Sequence, residues 1–523
     1  MWSESLLLST LEKCKSLSHL NQIHALLTIS GLANVFHYNA IIRAFSSTKN
    51  PYKSVSTFIS MLRNDVVPNH LTYPFLAKAS ARILNLKLAG SVHGLVFRTG
   101  YASDMFVSNS LVHMYGSCRD IVSARKVFDE MPMKNSVSWN SVLDAYAKCG
   151  DVNLMRKVFD LMPRRDVISW SSLIDGYVKD GNYVEALAVF AKMGVDGVKA
   201  NDVTMVSVLC ACSHLGTLEQ GRMMHNYIIE NGLHLTLTLR TSLVDMYAKC
   251  GAIDEALAVF RAVSVRKTDV LIWNAMIGGL ATHGFTQEAL EMNVEMQDLG
   301  IRPDEITYLC LLSACAHRGL VKEAWKYFKS ISQNSMEPKT EHYACIVDVL
   351  ARAGQLKEAH EFIQDMMLKP TASMLGALLS GCINHRKLDI AEAVGKMLIE
   401  LEPDHDGRYI GLSNVYAVKN CWDESRTMRE AMETRGVRKV AGYSYVEILG
   451  TLHRFIAHDQ AHPQSEQIDL MLDLIVKQMK MKSDCESRRQ VGVKIDPNQI
   501  ALRPKLFRMV LTFEHLLKAE RYA

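Results

Sequence analysis

The phrase SWNSVLDAY, beginning at Ser138, returns as SWSSLIDGY at Ser169, 31 residues later. KVFDEMP at Lys126 returns as KVFDLMP at Lys157 with the same spacing. SLVDMYAKCG at Ser242 echoes SVLDAYAKCG at Ser141, and IWNAMIGGL at Ile272 continues the series. A unit this short cannot bury a core by itself, so neighbouring units must stack on one another. The 523 residues therefore read as a repeat array rather than as several unrelated globules.

Each unit has the pattern of a helical hairpin. In 136–166, Val142, Leu143, Tyr146 and Ala147 mark one face of a first helix. Gly150 stops it, because glycine readily takes the left-handed conformation after a helix. Leu154, Val158 and Met162 recur every four residues and predict the stripe of a second helix. Pro163 closes the unit, since it has no N–H to donate. Units of 31 and 35 residues differ by about one helical turn. The expected fold is all-α, a right-handed superhelical solenoid of helix-turn-helix repeats with no sheet of consequence over about 1–440.

Composition narrows the choices. The chain is 48% hydrophobic and 22% charged, which suits a folded protein. No apolar run approaches 18 residues, so membrane insertion is not expected. The apolar run Leu6–Leu8 is too short for a signal peptide, and the first arginine is Arg43, so no arginine-rich leader is visible. Net charge is +4, and from Ser483 onward eight Lys/Arg face five Asp/Glu, so the array itself is nearly neutral. A generic polyanion binder would be more basic, and any nucleic-acid recognition here must lean on base contacts. The twelve cysteines include no C-x-x-C and read as reduced packing residues.

These phrases resemble the plant pentatricopeptide repeat family. The mixed unit lengths are similar to its subclass of alternating long, short and standard repeats. The parse is 1–34, 35–69, 70–104, 105–135, 136–166, 167–201, 202–236, 237–269, 270–304, 305–339 and 340–371, about eleven repeats over 1–371. Units 70–104, 202–236 and 305–339 resemble the long type. Residues 372–440 resemble the family's two E motifs, degenerate repeat-like hairpins, with Leu375 where tryptophan is usual. Residues 441–482 resemble the E+ extension, with Tyr445 for its usual tryptophan. Residues 483–523 form a divergent tail, polar at first and apolar-basic from Ile500.

The resemblance implies single-stranded RNA binding with one base per repeat, chosen by the fifth and the last residue. Carried over, the base-selecting pairs are Asn39/Asn69, Asn109/Asn135, Asn140/Asp166, Ser171/Asn201, Thr241/Asp269 and Asn274/Asp304. A fifth-position Asn suits a pyrimidine edge, while Ser or Thr leaves room for a purine. A last-position Asp accepts from the ring N–H of U or G, and a last-position Asn is expected to accept from the amino group of C or A. Pro74/Asp104, Val206/Thr236, Leu309/Lys339 and Ala344/Thr371 stay undecoded. The second positions Phe36, Leu71, Phe106, Val137, Ile168, Val203 and Leu271 are apolar and placed to sandwich bases, with Thr238 the exception. The competing reading is that these Asn and Asp residues only cap helices. Trp139, Trp170 and Trp273 are expected to pack between repeats rather than to stack on bases.

No enzyme is expected. Deaminating relatives need a zinc-held water and a glutamate, written H-x-E with a later C-x-x-C, and 441–523 contains neither. No cofactor or metal is expected, and His225 and His317 read as packing or surface residues. The resemblance implies a site-recognition factor for C-to-U RNA editing in an organelle, the mitochondrion ahead of the chloroplast. Its partners would be organellar RNA and a trans-acting deaminase with other editing-complex proteins, met through the E and E+ region. The alternatives are an organellar factor for RNA stability, splicing or translation, and a protein-binding solenoid of the tetratricopeptide kind.

Overall fold

The structure is a computed structural model that describes residues 20–22, 25, 33–263, 268–366, 368–439, 442–448, 451–456 and 463–490. Most of the first unit, 1–34, and the tail beyond Gln490 lie outside the described residues, so the readings made for them rest on sequence alone.

Between Val35 and Thr434 the described residues form twelve consecutive helical hairpins. First helices begin at Val35, Met105, Ser136, Val167, Asp202, Leu237, Val270, Glu305 and Thr340, each the opening residue of a parsed unit. The unit 70–104 starts its helix at Thr72, two residues late, because a tighter turn from Asn69 precedes it: Thr72 N–H donates to the Asn69 carbonyl at 2.9 Å. The 31-residue units are short in the second helix. Ile121–Glu130 and Val152–Asp160 have 10 and 9 residues, against 13 in Leu218–Glu230 of a long unit.

Within 136–166 the first helix, Ser136–Cys149, ends at Gly150 with φ 78°, as expected. It buries Val142, Leu143 and Tyr146. The second helix requires a correction. Leu154 is 40% exposed, and the buried stripe is Val152, Met155, Val158 and Phe159. Spacings of three and four keep those residues on one side of a 3.6-residue helix, and Leu154 falls off that side. Successive stripes merge into one continuous apolar core that includes Tyr38 near one end and Tyr416 near the other. This is the nearest-neighbour packing that a repeat array requires.

Close approach of adjacent first helices depends on small residues. A Cβ at Gly116 would lie 2.5 Å from Ala145 Cβ, and one at Gly279 would lie 2.3 Å from Ala248 Cβ. The aromatic expectation holds: Trp139, Trp170 and Trp273 meet Phe128, Phe159 and Phe260 edge-on at 4.9, 4.7 and 4.8 Å. Each phenylalanine belongs to the second helix of the preceding unit, so the tryptophans join repeats.

The E-motif region consists of the hairpins Ala372–Asn384 with Leu388–Leu401 and Asp406–Val418 with Trp422–Thr434. Leu375, in the usual tryptophan position, is buried. Beyond it, strands Tyr443–Ile448 and Thr451–Ile456 pair in a two-stranded sheet, and Ser465–Gln490 is a long helix. That helix runs across the 482/483 division drawn from sequence. No helix among the described residues is long and apolar enough to cross a membrane.

Candidate nucleic-acid interface

For the helix Thr72–Ile83 the N-cap position is Leu71, two residues after Asn69; in the other five decoded units the last residue is itself the N-cap of the next first helix. In all six the side-chain Oδ1 of the last residue accepts a backbone N–H: Leu71 to Asn69 at 3.1 Å, Ser138 to Asn135 at 3.0 Å and Ser169 to Asp166 at 2.8 Å. Thr204 donates to Asn201 at 2.9 Å, Ile272 to Asp269 at 3.2 Å and Thr307 to Asp304 at 2.9 Å. Helix capping is therefore real at five of the six positions, and Asn69 accepts within the turn that leads into its helix. Either bond occupies only one of the two polar atoms, however. In an Asn cap the oxygen must face the backbone donors, so the NH2 is left. In the Asp269 and Asp304 caps the second carboxylate oxygen has no partner among the described residues, whereas Asp166 Oδ2 also faces Asn140.

In four of the six units the fifth residue is joined to the last, directly or through one hydroxyl, although 26 or 30 residues separate the two in sequence. Asn39 Nδ2 donates to Asn69 Oδ1 at 3.0 Å, and Asn274 Nδ2 donates to Asp304 Oδ1 at 2.9 Å. Asn140 Nδ2 straddles both carboxylate oxygens of Asp166 at 3.3 and 3.4 Å. Ser171 joins Asn201 through Thr204, at 2.6 Å and then 2.8 Å. No hydrogen bond joins Asn109 to Asn135 or Thr241 to Asp269. Thr241 instead donates to the Leu237 carbonyl at 2.9 Å, so outward it offers only lone pairs. Ser171 likewise spends its proton inward, on the Val167 carbonyl or on Thr204, each at 2.6 Å.

The geometry revises one piece of chemistry. The oxygen of a last-position Asn is taken by the cap, so it cannot accept from a base amino group, and its free NH2 is a donor. At the undecoded pairs of the long units the last residues are Asp104, a cap for Phe106 and Val107, Thr236, a cap for Leu239, and Lys339, whose ammonium pairs with Glu305; Thr371, beside the apolar Ala344, caps Met374. The long units' fifth residues Pro74, Val206 and Leu309 supply no second polar atom.

One residue before the third, on the same first turn, an apolar ladder is open to solvent. Phe36, Phe106, Val137, Ile168, Val203, Leu271 and Ile306 are each more than half exposed, and Leu71 is 38% exposed. Ile306 completes the ladder; it was missed in sequence, although counting to the second residue of 305–339 finds it. A recurrent exposed apolar row is the kind of surface on which binding sites are commonly built.

Histidines and cysteines outside this surface have packing roles. His225 Nδ1 meets Tyr247 Oη at 2.9 Å, as His93 meets Tyr115 at 3.0 Å. Burial pushes the thiols of Cys315 and Cys345 up to about 12 and those of Cys310 and Cys382 to about 11. They are poor nucleophiles at neutral pH.

A solenoid of helical hairpins that carries polar pairs at a common register in six of its repeats defines a modular helical-repeat protein. The chain belongs to the pentatricopeptide repeat family and carries an E motif. The PPR repeat matches residues 106–136, 137–167, 240–264, 306–336 and 341–369; the PPR repeat family matches 165–214 and 268–317; the pentatricopeptide repeat domain matches 31–81. The E motif matches 385–447. A pentatricopeptide repeat-containing protein of Arabidopsis thaliana is 57% identical over 511 residues, covering 91% of this chain and 96% of the relative. Another from the same plant, named as mitochondrial, is 32% identical and covers 91% of this chain and 90% of the relative. Among solved structures, the pentatricopeptide repeat protein PPR10 in complex with an 18-nt psaJ RNA element matches with a TM-score of 0.54 at 19% identity. That match covers 82% of this chain and 60% of the other, and it shows the fold.

Proposed function

We propose that this protein binds single-stranded RNA with one base per repeat, and that the atoms left free beside each cap choose the base. The observation that carries this reading is the direct hydrogen bond between the fifth and the last residue at Asn39/Asn69, Asn140/Asp166 and Asn274/Asp304, which leaves each pair further N–H groups or carboxylate lone pairs for a base. Asn39/Asn69 presents two donors, one N–H from each amide. Cytosine answers with two adjacent acceptors, N3 and O2. Asn140/Asp166 and Asn274/Asp304 present a donor beside an acceptor, which fits a uracil carbonyl and its N3–H. Ser171/Asn201 presents an acceptor beside a donor, which fits adenine N6–H and N1. Thr241/Asp269 presents two acceptors, which fits guanine N1–H and N2–H. The last residue thus reads the ring nitrogen and the fifth residue its neighbour, while the second-position ladder supplies apolar contact to the base faces.

By family likeness the strand runs 5′ to 3′ along the array and reads C, any, C, U, A, any, G, U, then two unspecified bases. Titration of the full chain against CACUAAGUAA and against the same composition scrambled tests this. The ordered RNA should bind at least about tenfold more tightly, as expected when several specific base contacts are lost together. Equal binding removes the reading.

The E motif over 385–447, followed by the paired strands 443–456, favours a role in C-to-U editing over one in stability, splicing or translation. In this reading the array docks upstream of a target cytidine in an organelle, the mitochondrion first, and the E and E+ region recruits a deaminase in trans. In this reading the deaminase, rather than this chain, supplies the catalytic residues. Sequencing organellar transcripts from a loss-of-function plant decides the matter: one or a few cytidines should stay unedited, each downstream of a matching sequence. Normal editing with altered transcript ends or introns would select the other role.

A further inference from the structure

The sequence code counts two residues per repeat, yet in three places a third side chain enters the same hydrogen-bond network from the next repeat. Thr72 Oγ1 donates to Asn39 Oδ1 at 2.7 Å, Thr307 Oγ1 donates to Asn274 Oδ1 at 2.6 Å, and Thr204 Oγ1 meets Ser171 Oγ at 2.6 Å. All three threonines are fully buried, and all occupy the third position of the long-type units 70–104, 202–236 and 305–339. The threonines also touch the last residue beside them, Asn69, Asn201 and Asp304, whereas in units 136–166 and 167–201 serine stands there and its hydroxyl stays on its own cap alone. Ser138 donates to Asn135 Oδ1 at 3.0 Å and Ser169 to the Asp166 carbonyl at 2.8 Å. The fifth residues ahead of those serines show the consequence: Asn109 Oδ1 and Asn140 Oδ1 are buried without a hydrogen-bond partner.

We infer that the third-position threonine of each long repeat is a specificity-determining residue for the base read one repeat earlier, acting by orienting that repeat's fifth residue. An amide has nearly the same shape either way round, so hydrogen bonds decide which end faces out. A threonine donor holds the Asn oxygen inward and leaves an N–H for the base. With no donor behind it, the Asn109 amide is free to turn and offer an oxygen, which blurs the choice between acceptor-edged and donor-edged bases. Long repeats, whose own pairs lack a second polar atom, thereby act on the base before theirs.

The inference rests on the base-reading proposal, and its test separates the two. Full-length wild type, Thr72→Val and Thr307→Val are titrated against CACUAAGUAA and against versions with the first base changed to U or the eighth changed to C. Valine keeps the shape and removes the hydroxyl. Thr72→Val should reduce discrimination at the first base by about fivefold, the weight of one ordinary hydrogen bond, and leave the eighth unchanged; Thr307→Val should do the reverse. A purely structural role would weaken all RNAs alike, and that result, or unchanged ratios, overturns the inference. A gain variant, Ser138→Thr, does not depend on the valine variants folding. It should sharpen C over U at the third base severalfold, and no sharpening likewise overturns the inference. If wild type itself ranks neither base, the base-reading proposal has failed instead.

Discussion

At the scale of single residues, the proposed reading gives one side chain two jobs, capping at one end and base contact at the other. Asp269 holds Leu271 and Ile272 N–H with Oδ1, while Oδ2 has no partner among the described residues. Asp269→Asn keeps the cap, because an amide oxygen can accept the same N–H groups, and replaces the free acceptor by a donor. Beside the lone pairs of Thr241 this turns two acceptors into an acceptor and a donor. The seventh base should shift from G toward A by about tenfold, with thermal stability nearly unchanged. A titration against RNAs differing only at that base checks it; identical ranking by both proteins would mean that Asp269 is only a cap. The histidines yield a second residue-scale prediction. Burial holds His93 and His225 below the ordinary 6.5, so both are neutral in the folded chain. The unfolded chain takes up their protons first. Their contribution is therefore complete above about pH 6.5 and is lost as pH falls toward the lower native values. The melting temperature should drop between pH 7.5 and 5.5, and His93→Gln with His225→Gln should make that drop smaller.

At the scale of helices, packing tolerates little change where glycine faces alanine across two first helices. A Cβ at Gly116 would meet not only Ala145 Cβ but its Cα, at 2.7 Å, so backbone must move. Gly116→Ala should destabilise the array by about 1–3 kcal/mol despite alanine's better helix propensity, measured by denaturant unfolding. A neutral or stabilising result would show that the helices separate freely there. This element scale was also the most legible in sequence. The recurring phrases placed nine first helices to the residue, because cap, glycine stop and apolar stripe all repeat together. The second-helix stripe was misread at Leu154, since in a helix of nine residues a four-residue spacing can be traced on either side. The paired strands after Tyr443 carried no signal beyond a likeness to the E+ extension. The polar pairs were legible as positions but not as geometry. Nothing in a list of six pairs says that Asn39 touches Asn69 across 30 residues, or that Thr72 stands behind both.

For the whole molecule, the near-neutral charge sets how affinity should respond to salt. The basic residues at the ends of several first helices are already paired one turn back: Lys148 with Asp144 at 2.6 Å, Lys179 with Asp175 at 2.6 Å, Lys249 with Asp245 at 2.9 Å and Arg352 with Asp348 at 2.9 Å. A polyanion approaching these helices meets cations whose charge is locally balanced. Few counterions should then be released per bound strand, and base contacts, which are insensitive to salt, should dominate the free energy. For single strands log K falls with log salt by about 0.7 for each phosphate neutralised. Three or fewer neutralised phosphates would give a slope no steeper than about −2. Titration of CACUAAGUAA between 50 and 300 mM salt reads this slope directly. A slope near −5 would mean that the lysines abandon their carboxylates for phosphate, and that charge rather than base edges holds the strand. The Asp175→Asn variant separates those cases further: by freeing Lys179 it should steepen the slope by about one neutralised phosphate while leaving the ranking of bases as it was.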